Sequence, residues 1–131
     1  MIEVAGIWEQ GWNVPLMEAD QWEMVMAEFG VERLNMTPIS GIDKPWIHEY
    51  PSIEELLADR SHLTPVFVDE SAEVELSEFE HPKDALYVFG RCSYSPFHGH
   101  EGQAVKIQTV KPGMLWPHQA MAIVLYDRSQ K

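Results

Sequence analysis

The first eighty residues alternate short apolar runs with amphipathic stretches. Ile2 to Trp8 (IEVAGIW) is a β-rich run bounded by Gly11, which predicts a first strand. Pro15 suits the first turn of a helix, where its missing N–H would have no partner anyway. Trp22, Val25, Met26 and Phe29 then recur at helical spacing, and Gly30 supplies a stop. Val31 to Met36 predicts a second strand, ended by Thr37-Pro38. Strand, helix and strand in this order favour parallel pairing through a right-handed crossover. Residues 40–50 read as loop, with a short strand fitting Trp46 to Glu49. Ser52-Ile53-Glu54-Glu55 is a capping box, in which the Ser52 hydroxyl and the Glu55 carboxylate satisfy each other's orphan backbone N–H groups; a helix to about Asp59 follows. Thr64 to Val68 (TPVFV) is a compact apolar strand. Asp69 to Glu80 holds six acids and no base, yet Val74, Leu76 and Phe79 give it apolar anchors, so it reads as an exposed loop or short helix.

Ala85 to Phe89 (ALYVF) is apolar without alternation, as a strand covered on both faces should be, and Gly90 ends it. Residues 91–102 form a loop rich in Ser, Gly, Pro and His. A further strand is expected over Ala104–Gln108, then a turn at Lys111-Pro112-Gly113. Pro117 opens the last helix, whose Gln119–Tyr126 stretch is apolar nearly all round and should pack on more than one side. The whole predicts an α/β fold: a mainly parallel sheet flanked by helices, as one domain over residues 1–131.

Charge changes this picture. The formal net charge is −12, which alone argues against a nucleic-acid partner. Its distribution is uneven: residues 1–80 carry 18 of the 21 acids and 3 of the 9 Lys and Arg, while residues 81–131 carry 3 acids, 6 bases and four histidines. The acidic surplus suits a solvated face, or a surface for a basic partner. The N-terminus has no basic-then-apolar leader pattern and no long apolar run occurs, so a cytoplasmic protein without a membrane anchor is expected. A single cysteine, Cys92, excludes an internal disulfide.

The order of the C-terminal pieces is more specific. A Pro-led apolar strand ends in Gly (HPKDALYVFG), then come a polar loop, a Val-x-Ile strand (Val105, Ile107), a turn, and a helix reading AMAIVLYDR. This resembles the second and third motifs of the SPOUT-class S-adenosylmethionine-dependent RNA methyltransferases, through Ala85–Gly90, Val105–Thr109, Met114–Trp116 and Ala120–Asp127. A weaker likeness to the first motif runs through Gly11-Trp12-Asn13 and Phe29-Gly30-Val31. The resemblance implies a C-terminal trefoil knot, an S-adenosylmethionine cofactor held mostly by backbone groups among three loops, a homodimer built through the knot and last helix, and an RNA substrate, tRNA by default. It carries cofactor contact onto Phe89, Gly90, Ile107, Thr109 and Leu115.

Some family features are replaced here. The helix from Leu16 to Phe29 has no Arg or Lys where the first motif places an Arg; Arg91-Cys92-Ser93 and Met114-Leu115-Trp116 stand where the family has Asn-Glu-Gly and Ser-Leu-Asn. Backbone-held binding tolerates such changes, whereas side-chain catalysis does not. The catalytic candidates are therefore substitutes in the loop after Gly90: Arg91 for a phosphate, Tyr94, and His98 as a proton acceptor near neutral pH. His98-Gly99-His100-Glu101 lacks the further ligands of a metal site, so no metal is expected. His118, following Pro117 at a helix start, reads as structural or cofactor-adjacent, and Cys92 as a pocket-lining or buried residue. The competing reading is a catalytically silent relative that keeps the fold and serves as a binding or regulatory protein.

Overall fold

The computed structural model describes residues 1–8, 15–90, 95–111 and 115–131. Six strands form one sheet: β1 (Ile2–Ile7), β2 (Leu34–Thr37), β3 (Ile47–Glu49), β4 (Thr64–Val68), β5 (Ala85–Phe89) and β6 (Gln103–Val105). Their spatial order is β3-β2-β1-β5-β4-β6, and every pairing is parallel. Helices α1 (Pro15–Phe29), α2 (Ile53–Asp59) and α3 (Pro117–Gln130) complete it. The α/β expectation with a parallel sheet therefore holds.

The unbroken apolar run of β5 has the cause read from sequence: it lies between β1 and β4 and is covered on both faces. On one face Val4, Tyr87, Phe89, Val66 and Val105 pack with Trp22 and Met26 of α1 and Met121, Val124 and Leu125 of α3. On the other, Ala5, Leu86, Val88 and Phe67 pack with Ile53, Leu56 and Leu63, two of them from α2.

Helix α1 starts on Pro15 and buries Ala19, Trp22 and Met26 on one stripe. It ends in a Schellman motif: Gly30 takes φ +69°, Val31 N–H donates to the Met26 carbonyl at 3.0 Å, and Gly30 N–H donates to Ala27 at 3.4 Å. Helix α2 begins as expected on Ser52, whose hydroxyl accepts from Glu55 N–H at 3.2 Å; the Glu55 carboxylate returns to that hydroxyl rather than to the Ser52 backbone.

Two strand boundaries shift. The second strand begins at Leu34 rather than Val31, because Val31 is spent closing α1. The sixth strand stops at Val105, with Lys106 adding one bridge to Glu75, because its partner β4 ends at Val68 and the chain turns away at Asp69. The acidic stretch takes the second of its two expected forms, a short 3-10 helix at Leu76–Glu78, with Ala72, Leu76 and Phe79 buried around it. Within this chain α3 is covered along one stripe, Pro117, Met121, Val124 and Leu125, while Ile123 and Tyr126 face outward.

The end of α3 is clasped to the sheet. Arg128 donates to the carbonyls of Pro82 (2.6 Å) and Lys83 (3.0 Å) and to the Tyr87 hydroxyl (2.9 Å). His81 bridges Tyr87 and Asp127, at 2.7 Å each, and Lys131 donates to Leu76, Phe79 and Asp127. Since Pro82 and Lys83 precede β5, the C-terminal end of α3 lies where the strands begin. A 14-residue helix spans about 21 Å, so its N-terminal end reaches the edge where they finish.

Gly6 marks the tightest contact. A Cβ there would sit 2.9 Å from the Trp22 ring and 3.2 Å from Met36 Sδ. Trp22 is fully buried and has no room to retreat. Gly6→Ala is expected to cost about 1–3 kcal/mol, read as a melting-point drop of roughly 3–5 °C per kcal/mol; an unchanged melting point would mean that α1 does not ride this closely on β1.

Candidate active site

In a parallel sheet of this kind the strands' carboxyl ends are the usual place for ligands. Strand register sets those ends level. Phe89 lies beside Val68, and Val68 beside Val105, so β5, β4 and β6 finish on one line. On the other side of β5, Ile7 finishes beside Thr37, and Met36 beside Glu49. Gly90 follows β5 at this edge, and Ile107 and Thr109 follow β6.

Phe89 is 2% exposed and meets Trp22 edge-on at 6.0 Å, so its side chain belongs to the core and only its backbone faces the edge. Gly90 follows, half-buried. Arg91 and Tyr94, with Cys92, fall outside the described residues, as do Trp12, Asn13 and Met114. His98 is exposed, its ring tilted against Phe97 at 5.2 Å. Ile107 is half-buried against the core, Thr109 half-buried, and Leu115 is 37% exposed just before α3. Trp116 N–H donates to Gln119 Oε1 at 2.9 Å at the start of that helix, and the Trp116 and His118 rings lie 6.4 Å apart. The two histidines of His98-Gly99-His100 part company: His100 stacks on Phe67 and lies 3.9 Å from Glu54, on the α2 face. Among the described residues no group of three or more His, Cys, Asp or Glu is placed to hold a metal ion.

Two carboxylates fasten the loops of this edge, and sequence reading missed both. Glu49, the last residue of β3, accepts from Trp8 Nε1 (2.5 Å), from the backbone of Ser40 (3.0 Å), Gly41 (2.9 Å) and Ile42 (3.2 Å), and from the Ser40 hydroxyl. Asp69, the first residue after β4, accepts from Ser71 N (2.8 Å) and Ser71 Oγ (2.5 Å), and from the Ser95 hydroxyl of the loop that leads to His98. Burial raises both carboxyls, but the hydrogen bonds outweigh it and hold each below its ordinary range. The Asp-x-Ser spacing of Asp69 and Ser71 is a local turn signal that sequence does offer; nothing local announces Glu49. A third acid, Glu18, is buried on the first turn of α1, where it accepts from Trp22 Nε1 at 3.3 Å.

The edge suits a ligand held by main chain. Among the described residues, 107–110 make no backbone–backbone hydrogen bond with one another or with the rest of the sheet. Gly90 adds a position where nothing projects beyond the backbone.

No protein-family model and no curated protein sequence matches this chain. Solved structures do. A chain from work on the 2-OH methylation of C/U34 on tRNA superposes with a TM-score of 0.76 at 14% identity, over 98% of this chain and 94% of that one. A Bacillus anthracis protein proposed as an RNA methyltransferase gives 0.70 at 16% identity, over 99% and 93%. An RNA 2′-O ribose methyltransferase gives 0.68 at 14% identity, over 99% of this chain and 55% of that one. The fold is that of the SPOUT-class RNA methyltransferases. The segments that carried the resemblance in sequence fall on β5, on β6 with the residues up to Thr109, and on α3. The SPOUT resemblance read from the last fifty residues thus extends, as a fold, over nearly the whole chain.

The latches predict a pH response. A carboxyl held below its unfolded pKa stabilises the fold at all pH values above that unfolded value, and the contribution disappears as pH falls through the depressed one. Hydrogen-exchange protection at Gly41 and Ser71 is expected to stay constant down to about pH 4, the ordinary carboxylate range, and to fall below it. Asp69→Ala should remove the Ser71 protection at neutral pH. Loss of protection already above pH 5 in the unmodified protein would refute the latch account.

Proposed function

We propose that this chain is a single-domain S-adenosylmethionine-dependent RNA methyltransferase, with tRNA the first substrate to try. The observation that carries the reading is the superposition over 98% of this chain and 94% of a chain from work on tRNA 2-OH methylation. It is supported by the placement of Gly90 after β5 and of Ile107 and Thr109 after β6, whose ends are level with that of β4, with no backbone hydrogen bond from 107–110 to another described residue. Phe89 and Gly90 at the end of β5, Ile107 and Thr109 after β6, and Leu115 before α3 would hold the cofactor. When bound, that group supplies an electrophilic methyl on a sulfonium. We further infer that the segment after Gly90 is threaded as the SPOUT knot, that the protein works in the cytoplasm, and that no metal takes part. Among the described residues no helix is long and apolar enough to cross a membrane.

A homodimer belongs to the same reading. Helices α1 and α3 expose Leu16, Met17, Met24, Ile123 and Tyr126. A second copy covering these side chains would use the outward side of α3 that this chain leaves open.

Transfer to an RNA hydroxyl releases a proton, and something at the edge must accept it. Glu49 and Asp69 are poor choices, since their oxygens already accept several hydrogen bonds and both are held below the ordinary range. His98 is exposed on the loop that Asp69 fastens through Ser95, and we assign it the acceptor role. Arg91 is the natural phosphate ligand and Tyr94 a further candidate, both by position in the sequence. The rival, a silent relative acting as a binding or regulatory protein, is favoured by the absence of Arg and Lys from α1, by the loss of the family's Glu at Arg91-Cys92-Ser93, and by the acidic surplus of residues 1–80.

Calorimetric titration with S-adenosylmethionine tests the shared core of both readings, and saturable binding is expected. Absence of heat at millimolar ligand would sink the enzyme. With binding established, transfer of a labelled methyl group to bulk RNA from the source cells separates enzyme from silent relative. In the active case, His98→Ala should lower the transfer rate by about 100-fold or more while cofactor affinity stays unchanged; full retained activity would remove His98 from the mechanism.

A further inference from the structure

A net charge of −12 poses a problem for any RNA-binding reading, and the fate of the individual cations sharpens it. Arg33 donates to Asn35 (2.9 Å) and Tyr50 (2.9 Å), and Arg60 to the buried Glu3. Arg128 and Lys131 are spent in the clasp on Tyr87, Asp127 and four backbone carbonyls. The amino terminus pairs with Asp84 at 2.8 Å. Arg33 precedes β2, Arg60 precedes β4, and the α3 clasp adjoins the start of β5, so all these cations lie at the edge where strands begin. Lys44 and Lys83 lie there too, just before β3 and β5.

Among the described residues, that leaves Lys106 and Lys111 as the Lys and Arg side chains at the opposite, carboxyl-end edge. Neither has an ion pair or side-chain hydrogen bond with another described residue. They bracket Ile107 and Thr109, and Val110 beside Lys111 is 99% exposed. Five residues apart, the two ammonium-bearing positions are at most about 17 Å from one another along the chain. Acids hem them in: Glu75 is bridged to Lys106 through the backbone, and Glu70 and Glu73 are exposed on the preceding turn.

We infer that the segment Lys106–Lys111 is a phosphate-contacting strip of this protein, and that its RNA ligand is a short single-stranded segment reached through about three phosphates per protomer, two on this strip and one on Arg91. The inference rests on the methyltransferase reading and narrows its substrate class. A duplex laid along the surface would need cations beyond this strip, and the acidic flanks would repel its remaining phosphates. Short contact with a splayed strand avoids both problems, because single-stranded RNA presents its bases without requiring a broad backbone footprint.

Counterion release makes the test quantitative. Each phosphate neutralised on a single strand contributes about 0.7 to the slope of log K against log salt. The two strip lysines and Arg91 therefore predict roughly an 18-fold loss of affinity between 50 and 200 mM salt, and both sets of a dimer on one strand about 340-fold, against the 10³–10⁵ typical of six to ten contacts on a duplex. The experiment is fluorescence anisotropy with a labelled 12-nucleotide single-stranded RNA and a 12-base-pair RNA duplex, over that salt range, on the full chain. Lys106→Gln and Lys111→Gln should each flatten the slope by about 0.7 per engaged protomer, Lys83→Gln should leave it alone, and the single strand should bind more tightly than the duplex. An unaltered slope in both strip variants, a salt loss above 10³-fold, preference for the duplex, or no RNA binding at 50 mM salt would each overturn the strip. Calorimetry with S-adenosylmethionine on the same samples keeps the two ideas apart: cofactor binding with an unaffected slope ends the strip and spares the methyltransferase reading, whereas missing cofactor binding ends that reading itself.

Discussion

The contact on which the rest of the structure depends is Trp22 against Gly6 and Phe89. One indole ring lies in the groove left by a glycine in β1 and meets, edge-on, the last side chain of β5. Burying a residue of this size stabilises the fold by an upper estimate of about 4–6 kcal/mol at 25 cal/mol per Å². Its geometric effect matters more. It fixes α1 along β1 and ties both to the end of β5, while register with β4 carries that level across to β6. The loops after β5 and β6 therefore leave from a rigid line rather than from strand ends free to fray.

The two edges of the sheet are fastened by opposite chemistry. Where strands begin, cations do the tying: Arg60 to Glu3, Arg33 to Asn35 and Tyr50, Arg128 and Lys131 to the carbonyls before β5. Where strands finish, anions do it: Glu49 and Asp69 collect donors from the loops around them. Each carboxylate accepts several donors at once, which a single neutral acceptor group cannot match, and charge-assisted bonds are the stronger kind. This arrangement consumes much of the basic complement far from the candidate site, so the formal charge of the chain is a poor guide to the field a ligand meets there.

How much of this the sequence announced follows from the range of the interactions involved. Elements set by local pattern were legible: the α1 stripe with its Gly30 stop, the Ser52 cap, the doubly covered β5, the Pro-led α3. Boundaries decided by a distant partner were not. The sixth strand ends early because β4 turns off at Asp69, a fact absent from its own residues. The late start of β2 is a local effect, since Val31 closes α1 on Met26. The candidate site shows the same division. Gly90, Ile107 and Thr109 were placed by a resemblance in order and spacing, and they do leave the same edge. The Glu49 latch joins Trp8, Ser40, Gly41 and Ile42 from separate parts of the chain, so no window of sequence contains it.

That division also bears on binding as against transfer. A cofactor held by main-chain groups depends on where the backbone runs, which the core, the register and the two latches determine. The replacements at Arg91-Cys92-Ser93 and Met114-Leu115-Trp116 alter side-chain identity, which a main-chain contact does not read. The missing base on α1 is different in kind: Met17, Met24 and their exposed neighbours offer no cation on that helix, and no adjustment of the backbone supplies one. Retention of the pocket and retention of the chemistry are thus separable properties in this chain. Under the proposed reading the first would rest on packing among the described residues, and the second on groups on the loops, His98 foremost, because the described carboxylates at the edge already hold those loops in place.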